Sequence, residues 1–166
     1  MKKIITFLAI AGLFTLQSCS VNDDAPYVDN DTISEVFEVT TSFNSNNGFS
    51  SLVTFNPPIF ASDVVLVYHL YAVENGEDIW RLMPHTYYLS DGKELDFNFD
   101  YSKLSVNIFL DANFTQSTIP ASWTQNQTFR IAIIPANFAK TVNKNNIDAV
   151  MAALKVNESE IQNIKL

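Results

Sequence analysis

The segment from Asp63 to Val73 constrains the fold of this chain more than any other stretch. Its side chains alternate between the two faces of a strand, and both sets are apolar: Val64, Leu66, Tyr68 and Leu70 on one face, Val65, Val67, His69 and Tyr71 on the other. A strand that is apolar on both faces is typical of a central strand covered by other layers. Asn75-Gly76 follows and favours a tight hairpin, because both central residues of a type I′ turn need positive φ.

Seven further short runs separated by turn signals read as strands: Ile33–Thr41, Phe49–Phe55, Asp78–Met83, His85–Leu89, Leu95–Tyr101, Leu104–Leu110 and Thr128–Ile134. Two of these runs alternate cleanly, and their apolar sets are expected to face inward: Leu95, Phe97, Phe99 and Tyr101, then Leu104, Val106, Ile108 and Leu110. About eight short strands predict an all-β fold, an antiparallel β-sandwich, with a small β-barrel as the alternative.

The pattern changes to helical spacing near the carboxyl end. Ile147, Val150, Met151 and Leu154 form one stripe, and Asn145 or Asn146 is the expected N-cap. We expect this C-terminal helix over residues 146–155 and a second short helix over Glu158–Ile164. Residues 33–166 are therefore predicted to form one domain, with the docking site of the helix left open.

The first residues look like an export signal. Lys2 and Lys3 precede the apolar run Ile4–Leu16, which is shorter than the about 20 residues that a membrane-spanning helix needs. Leu16-Gln17-Ser18-Cys19 resembles the bacterial lipobox, in which the cysteine is lipidated and the leader is cut before it. The resemblance implies a signal peptide over 1–18 and a lipid anchor at Cys19, which is the only cysteine of the chain.

Residues 19–32 are predicted to be an acidic tether between the lipid and the domain. Asp23-Asp24 resembles the signals that send Bacteroidota lipoproteins to the outer face of the outer membrane. We therefore expect an outer-membrane lipoprotein exposed at the cell surface, with a periplasm-facing orientation as the alternative.

The charge of the mature chain excludes one class of partner. Residues 19–166 carry 8 Lys and Arg against 18 Asp and Glu, a net charge of −10 before lipid is added. Nucleic-acid binding needs clustered basic residues, and the basic residues here are scattered. We therefore expect no nucleic-acid partner.

Catalytic motifs are absent from the sequence: there is no GxSxG, HExxH, CxxC, phosphate loop or dinucleotide glycine motif. His69 lies in the most apolar strand and is expected to be a hydrogen-bonded core or edge residue rather than a base or a ligand. His85, after Pro84 and near Trp80 and Tyr87, is a weak candidate for a polar pocket, and we favour a position on a surface strand. We predict no catalytic residue, no metal site and no cofactor.

Carboxylates on one strand offer an alternative chemistry. Asp96, Asn98 and Asp100 share a face at steps of roughly 6–7 Å, a spacing that could flank a sugar in a hydrolase or bind calcium. The solvent face of an amphipathic strand has the same pattern, and we favour that interpretation.

Aromatic residues near loops suggest ligand binding. Trp80, Tyr87, Tyr88 and Trp123 lie in or beside loops and short strands, where planar rings can stack on sugars. Trp123 is the best candidate for exposure, because it lies in the polar stretch 122–127. Core packing is the default for most of the aromatic residues, and a loop Trp folded onto the sandwich is more common than a binding platform. The candidate ligand-binding residues are therefore Trp80, Trp123 and His85.

Most of the domain also resembles a known kind of protein. The ENG-x-D-x-WR segment at 74–81 and the SWTQNQ-x-FR segment at 122–130 are the most distinctive parts of a block, 63–139, that resembles small uncharacterised lipoproteins of flavobacteria. Some of those relatives carry collagen-like repeats after the lipid cysteine, and this chain has none. The resemblance implies an envelope address and transfers no catalytic residue.

These observations favour a cell-envelope lipoprotein whose non-enzymatic β-domain binds a surface protein or a glycan. Two alternatives stay open. One is a small hydrolase that uses Asp96, Asp100 or His85, and the other is a structural accessory subunit of an outer-membrane complex.

Overall fold

The computed structural model describes residues 35–166, so the predicted signal peptide, Cys19 and the tether lie outside the described residues. Within these residues, nine strands and two α-helices follow one another. They are β1 Glu35–Thr41, β2 Ser50–Thr54, β3 Val64–Glu74, β4 Glu77–Leu82, β5 His85–Tyr88, β6 Glu94–Tyr101, β7 Ser105–Ala112, α1 Ala121–Thr124, β8 Gln127–Ile134, α2 Ile147–Leu154 and β9 Gln162–Ile164.

The strands form two sheets that enclose an apolar core. The five-stranded sheet has the order β4-β3-β8-β1-β9, and the four-stranded sheet has the order β2-β7-β6-β5. The core between them includes Val67, Phe97, Ile108, Phe129 and Ile131, all fully buried. The predicted β-sandwich is thereby confirmed, and the alternative of a small closed barrel is wrong.

The double apolar face of β3 has a direct structural reason. Val65 and Val67 point into the core between the sheets, whereas Leu66 and Tyr68 point to the opposite face of the five-stranded sheet. That outer face is covered by α2 through Ile147, Val150 and Met151. The C-terminal helix therefore packs on the sheet as a third layer and buries the second apolar set of β3.

Local signals place the ends of these elements. At the N-terminus of α2, the side chain of Asn146 accepts a hydrogen bond from the Ala149 amide at 3.0 Å, so Asn146 rather than Asn145 is the N-cap. Asn75 and Gly76 have φ of 54° and 85°, as the predicted hairpin between β3 and β4 requires. Within residues 35–166, no helix is long and apolar enough to cross a membrane.

Three expectations were wrong. The segment expected to form a second helix is instead a 3-10 turn, Glu158–Glu160, followed by β9, which pairs in parallel with β1 at Phe37–Val39. This ninth strand is short and contributes a half-buried side chain only at Ile164. Tyr101 and Leu104 were expected to face the core, but they flank the turn between β6 and β7 and are 46% and 54% exposed.

Candidate functional site

A bulge in β3 creates the first part of the site. Leu70 pairs with Trp80 and Ala72 pairs with Ile79, so Tyr71 is an extra residue without a partner on β4. An extra residue bends its strand and redirects its side chain. Tyr71 is 40% exposed as a result, and its ring lies near those of Tyr87 and Trp123, with centroids 5.6 and 6.4 Å away.

The short helix α1 carries Trp123 to the same place. Gln127, at the start of β8, holds this helix through its side-chain amide, which donates to the carbonyls of Ser122 at 3.1 Å and Gln125 at 2.7 Å. The half-buried Trp123 ring packs on Tyr87, with 4.6 Å between ring centroids. Because Gln127 is buried, this connection fixes the position of a residue that is otherwise in a loop region.

His69 is the buried centre behind these rings, and its protonation state follows from its partners. The Gln127 amide nitrogen already donates to two carbonyls, so its Oε1 accepts from His69 Nε2 at 2.9 Å. His69 Nδ1 then accepts from the Tyr87 hydroxyl at 2.9 Å. Burial lowers the pKa of His69 to about 4 and raises that of Tyr87 to about 12. His69 is therefore neutral and structural, as expected for a core histidine, and its lone pair is not available to act as a base.

Arg81 and His85 face each other across the connection between β4 and β5. The Arg81 guanidinium lies over the Tyr71 ring, with Cζ 3.4 Å from the centroid, and 5.1 Å from the Tyr87 centroid. Its Nη1 donates to His85 Nε2 at 3.3 Å, because a guanidinium cannot accept. Burial and the charge of Arg81 both lower the pKa of His85. His85 is thus a neutral partner of Arg81.

Together these side chains form what we call the aromatic cleft, a depression of about 360 Å³. Its lining includes two half-exposed rings and a set of hydrogen-bonding groups: Tyr71, Trp123, His69, Glu74, Ser122 and Gln127. Arg81 and His85 adjoin the cleft through Tyr71 and Tyr87. Flat rings beside carboxylate, hydroxyl and guanidinium groups suit the binding of a polar ligand with apolar faces.

Trp80 lies on the other side of the five-stranded sheet. It packs beside the α2 cluster, with Arg130 Cζ 4.4 Å from its ring. Trp80 and Arg130 line a separate cavity of about 600 Å³, together with the carboxylates Glu77, Asp78, Asp148 and Glu158. The structure therefore brings together two of the three predicted ligand-binding residues, Trp123 and His85, and separates them from Trp80.

The carboxylates of β6 lie on the outer face of the four-stranded sheet. Asp96 accepts a hydrogen bond from Thr86 at 2.5 Å and stands opposite Asp111 in the register of β6 and β7. Asp100 stands opposite Asn107 on the same face and is exposed. Among the described residues, no group of three or more His, Cys, Asp or Glu side chains is arranged to hold a metal ion.

Sequence reasoning missed Arg81 as a site residue and did not foresee the exposure of Tyr71. The alternation of side chains along β4 was a usable signal for the first, because Trp80 and Arg81 are neighbours and must point to opposite faces. No signal in the sequence marked the bulge that exposes Tyr71.

Comparison of the chain with models of known protein families, with curated proteins and with solved structures found no match. The resemblance to flavobacterial lipoproteins therefore stays a prediction.

Proposed function

We propose that this chain is a lipid-anchored protein of the outer membrane whose β-domain binds a glycan in the aromatic cleft, without catalysing a reaction. The observation that carries the proposal is the pairing of two half-exposed rings, Tyr71 and Trp123, in one depression with hydrogen-bonding groups. Sugars have apolar faces that stack on such rings, and hydroxyl groups that bond to carboxylate and amide partners at the rim.

Pre-organisation supports binding at this place. The rings do not depend on a long loop for their position, because the bulge of β3 places Tyr71 and the buried Gln127 holds the helix that carries Trp123. A ligand would therefore order few side chains on binding, which lowers the entropic cost of association.

The chemistry of the cleft favours binding over hydrolysis. His69 is committed to Tyr87 and Gln127, and His85 accepts from Arg81. Asp96 and Asp100 lie on the outer face of the other sheet and do not line the cleft. Among the described residues Glu74 is the only carboxylate that lines the cleft, so the cleft lacks the pair of carboxylates that glycoside hydrolysis needs.

The test is binding of the purified full chain, in detergent, to an array of bacterial and host polysaccharides. A Trp123→Ala variant should bind about two- to ten-fold more weakly, since stacking on one aromatic ring is worth about 0.5–1.5 kcal/mol beyond the area it buries. Tyr88→Ala is the matched control, because Tyr88 is 79% exposed on the outer face of the four-stranded sheet. Equal loss in both variants, or no binding to any glycan, would refute the cleft as a glycan site.

The envelope address rests on Cys19 and has its own test. Two or more acyl chains give stable anchoring, whereas one chain gives reversible binding. A Cys19→Ala variant should remain in the inner membrane as an uncleaved precursor or be released as a soluble protein. Fractionation of cells that finds it in the outer membrane, like the wild type, would overturn the lipoprotein assignment.

A further inference from the structure

The chain has only two arginines, Arg81 and Arg130, and they differ in their ion pairs with carboxylates. Arg130 is buried over the Trp80 ring and pairs with two carboxylates, Glu38 and Glu158. Arg81 is half-buried over the Tyr71 ring, but within residues 35–166 it forms no ion pair with a carboxylate. One arginine has its counter-ions within the fold, and the other has none there.

The surroundings make this lack of a counter-ion informative. Residues 35–166 carry 14 Asp and Glu against 8 Lys and Arg, so carboxylates are in excess. A partly buried cation is costly unless it is paired, and the two tyrosine rings offset only part of that cost. His69 and His85 are both neutral, so Arg81 is the positive charge beside the cleft.

The orientation of Arg81 also suits an anion. Stacking on Tyr71 covers a flat face of the guanidinium, whereas its N–H groups lie in the plane of the group and point outward along its edges. Two parallel N–H groups match the two oxygens of a carboxylate. The Tyr71 ring and His85 hold this arrangement before any ligand arrives.

We infer that the ligand of the aromatic cleft is an acidic glycan, in which the carboxylate of a uronic-acid-type sugar pairs with Arg81. This inference rests on the proposed glycan-binding function and adds the class of ligand. The sugar ring stacks on Tyr71 and Trp123 while its carboxylate lies at the Arg81 edge. Glu74, three residues beyond Tyr71 on β3, accepts from sugar hydroxyls at the other end of the cleft, about 10 Å along the strand.

The experiment compares matched polysaccharides on the purified full chain in detergent. The probes are polygalacturonate, alginate and hyaluronate, each beside its carboxyl-reduced neutral form, with affinities measured by calorimetry at low and at high salt. The acidic form of at least one polymer should bind about ten-fold or more tightly than its reduced form, and this preference should shrink at high salt because exposed charges are screened.

Variants separate charge recognition from stacking. Arg81→Gln should abolish the preference for the acidic form and leave the weak binding of the neutral form, whereas Trp123→Ala should weaken both. Arg81→Lys keeps the charge but not the two-pronged geometry, and should restore part of the preference. Thermal unfolding of each variant shows that the fold is intact.

The outcomes distinguish the inference from the proposal beneath it. Binding of a neutral form as tight as that of its acidic parent, or an unchanged preference in Arg81→Gln, would overturn the acidic class and leave a glycan site. Absence of binding to every acidic polymer would overturn the acidic class, and absence of binding to every glycan of the array as well would overturn both.

Discussion

Arg130 holds Glu158 with two parallel hydrogen bonds, Nη1 to Oε1 at 2.8 Å and Nη2 to Oε2 at 2.6 Å. Its Nε donates to Glu38 at 3.0 Å, so one buried guanidinium joins β8, β1 and the turn that precedes β9. This contact explains why the segment after α2 returns to the sheet as a strand. The hydrogen bonds to both glutamates raise the pKa of Arg130, against the effect of burial, which lowers it.

The first prediction tests this connection. Glu158→Gln should lower the free energy of unfolding by about 1–2 kcal/mol, because it removes a charge-assisted pair whose carboxylate is largely exposed while Glu38 still neutralises Arg130. Urea denaturation measures the change, and hydrogen exchange should show faster opening at Gln162–Ile164. Glu77→Gln is the control, since Glu77 lines the same cavity and forms no ion pair with Arg130. An equal effect of both substitutions would contradict the assigned role of Glu158.

The segment Glu158–Ile164 could not be predicted correctly from the sequence alone. The residues Glu158–Ile164 have no apolar alternation, and short-range spacing favoured a helix. The strand forms because Arg130, 28 residues earlier, fixes Glu158 and because β1 offers a free edge to Gln162–Ile164. Both causes are tertiary, so no local pattern could predict them.

The central strand was predictable for the opposite reason. The apolar residues on both faces of β3 indicate a strand that is covered on both sides, and Asn75-Gly76 marks its end. The bulge at Tyr71 interrupts that same strand without any glycine or proline to mark it, so the exposure of Tyr71, and with it the cleft, appeared only in the structure. Trp123, which its polar context led us to expect at the surface, is half-buried against the core and lines the cleft, whereas Trp80 looked equivalent and lies beneath Arg130 on the other face.

The second prediction concerns pH. His69 has a pKa of about 4 in the fold against an ordinary value of 6.5, so below pH 6.5 the unfolded chain binds a proton that the folded chain does not. The free energy of unfolding should therefore fall as the pH is lowered, by about 2 kcal/mol between pH 6.5 and pH 5. The pKa of His85 is also lowered and adds to the loss, so urea denaturation is best done in a His85→Gln background.

A His69→Gln substitution in that background supplies the control. It keeps an amide in the network of Tyr87 and Gln127 but cannot take up a proton, so the fall in the free energy of unfolding between pH 6.5 and pH 5 should disappear. Equal slopes with and without His69 would show that the histidine does not titrate as its burial requires.

The third prediction tests the third layer of the fold. Met151 is 6% exposed between α2 and the five-stranded sheet, and Met151→Ala should cost about 2–3 kcal/mol through the lost contacts and the cavity left behind. Leu104→Ala removes a similar side chain that is 54% exposed, and should cost less than about 1 kcal/mol. Urea denaturation that gives the reverse order would place α2 off the sheet.

The fourth prediction concerns the hairpin between β3 and β4. Gly76 has φ of +85°, and an added Cβ would meet no atom within 4 Å, so the cost of Gly76→Ala is conformational alone. We expect a loss of about 1–2 kcal/mol in thermal or urea unfolding. Asn75→Gly, at φ of 54°, should be close to neutral because asparagine already tolerates this region. A neutral Gly76→Ala would mean that the turn relaxes to another type.

The fifth prediction distinguishes a solvated sheet face from a site built of carboxylates. Asp111 stands directly opposite Asp96 across β6 and β7, and like charges in that position destabilise a sheet. Asp111→Asn keeps the side-chain oxygen that accepts from the Ala112 amide and should raise the free energy of unfolding by about 0.5 kcal/mol at low salt. The gain should vanish at high salt, where exposed charges are screened.

Asp100→Asn is the matched control, since its neighbour across the strands is the neutral Asn107, and it should change stability less. If Asp111→Asn instead lowered stability, the two aspartates would be held by a shared proton or cation, and the outer face of this sheet would be a binding site.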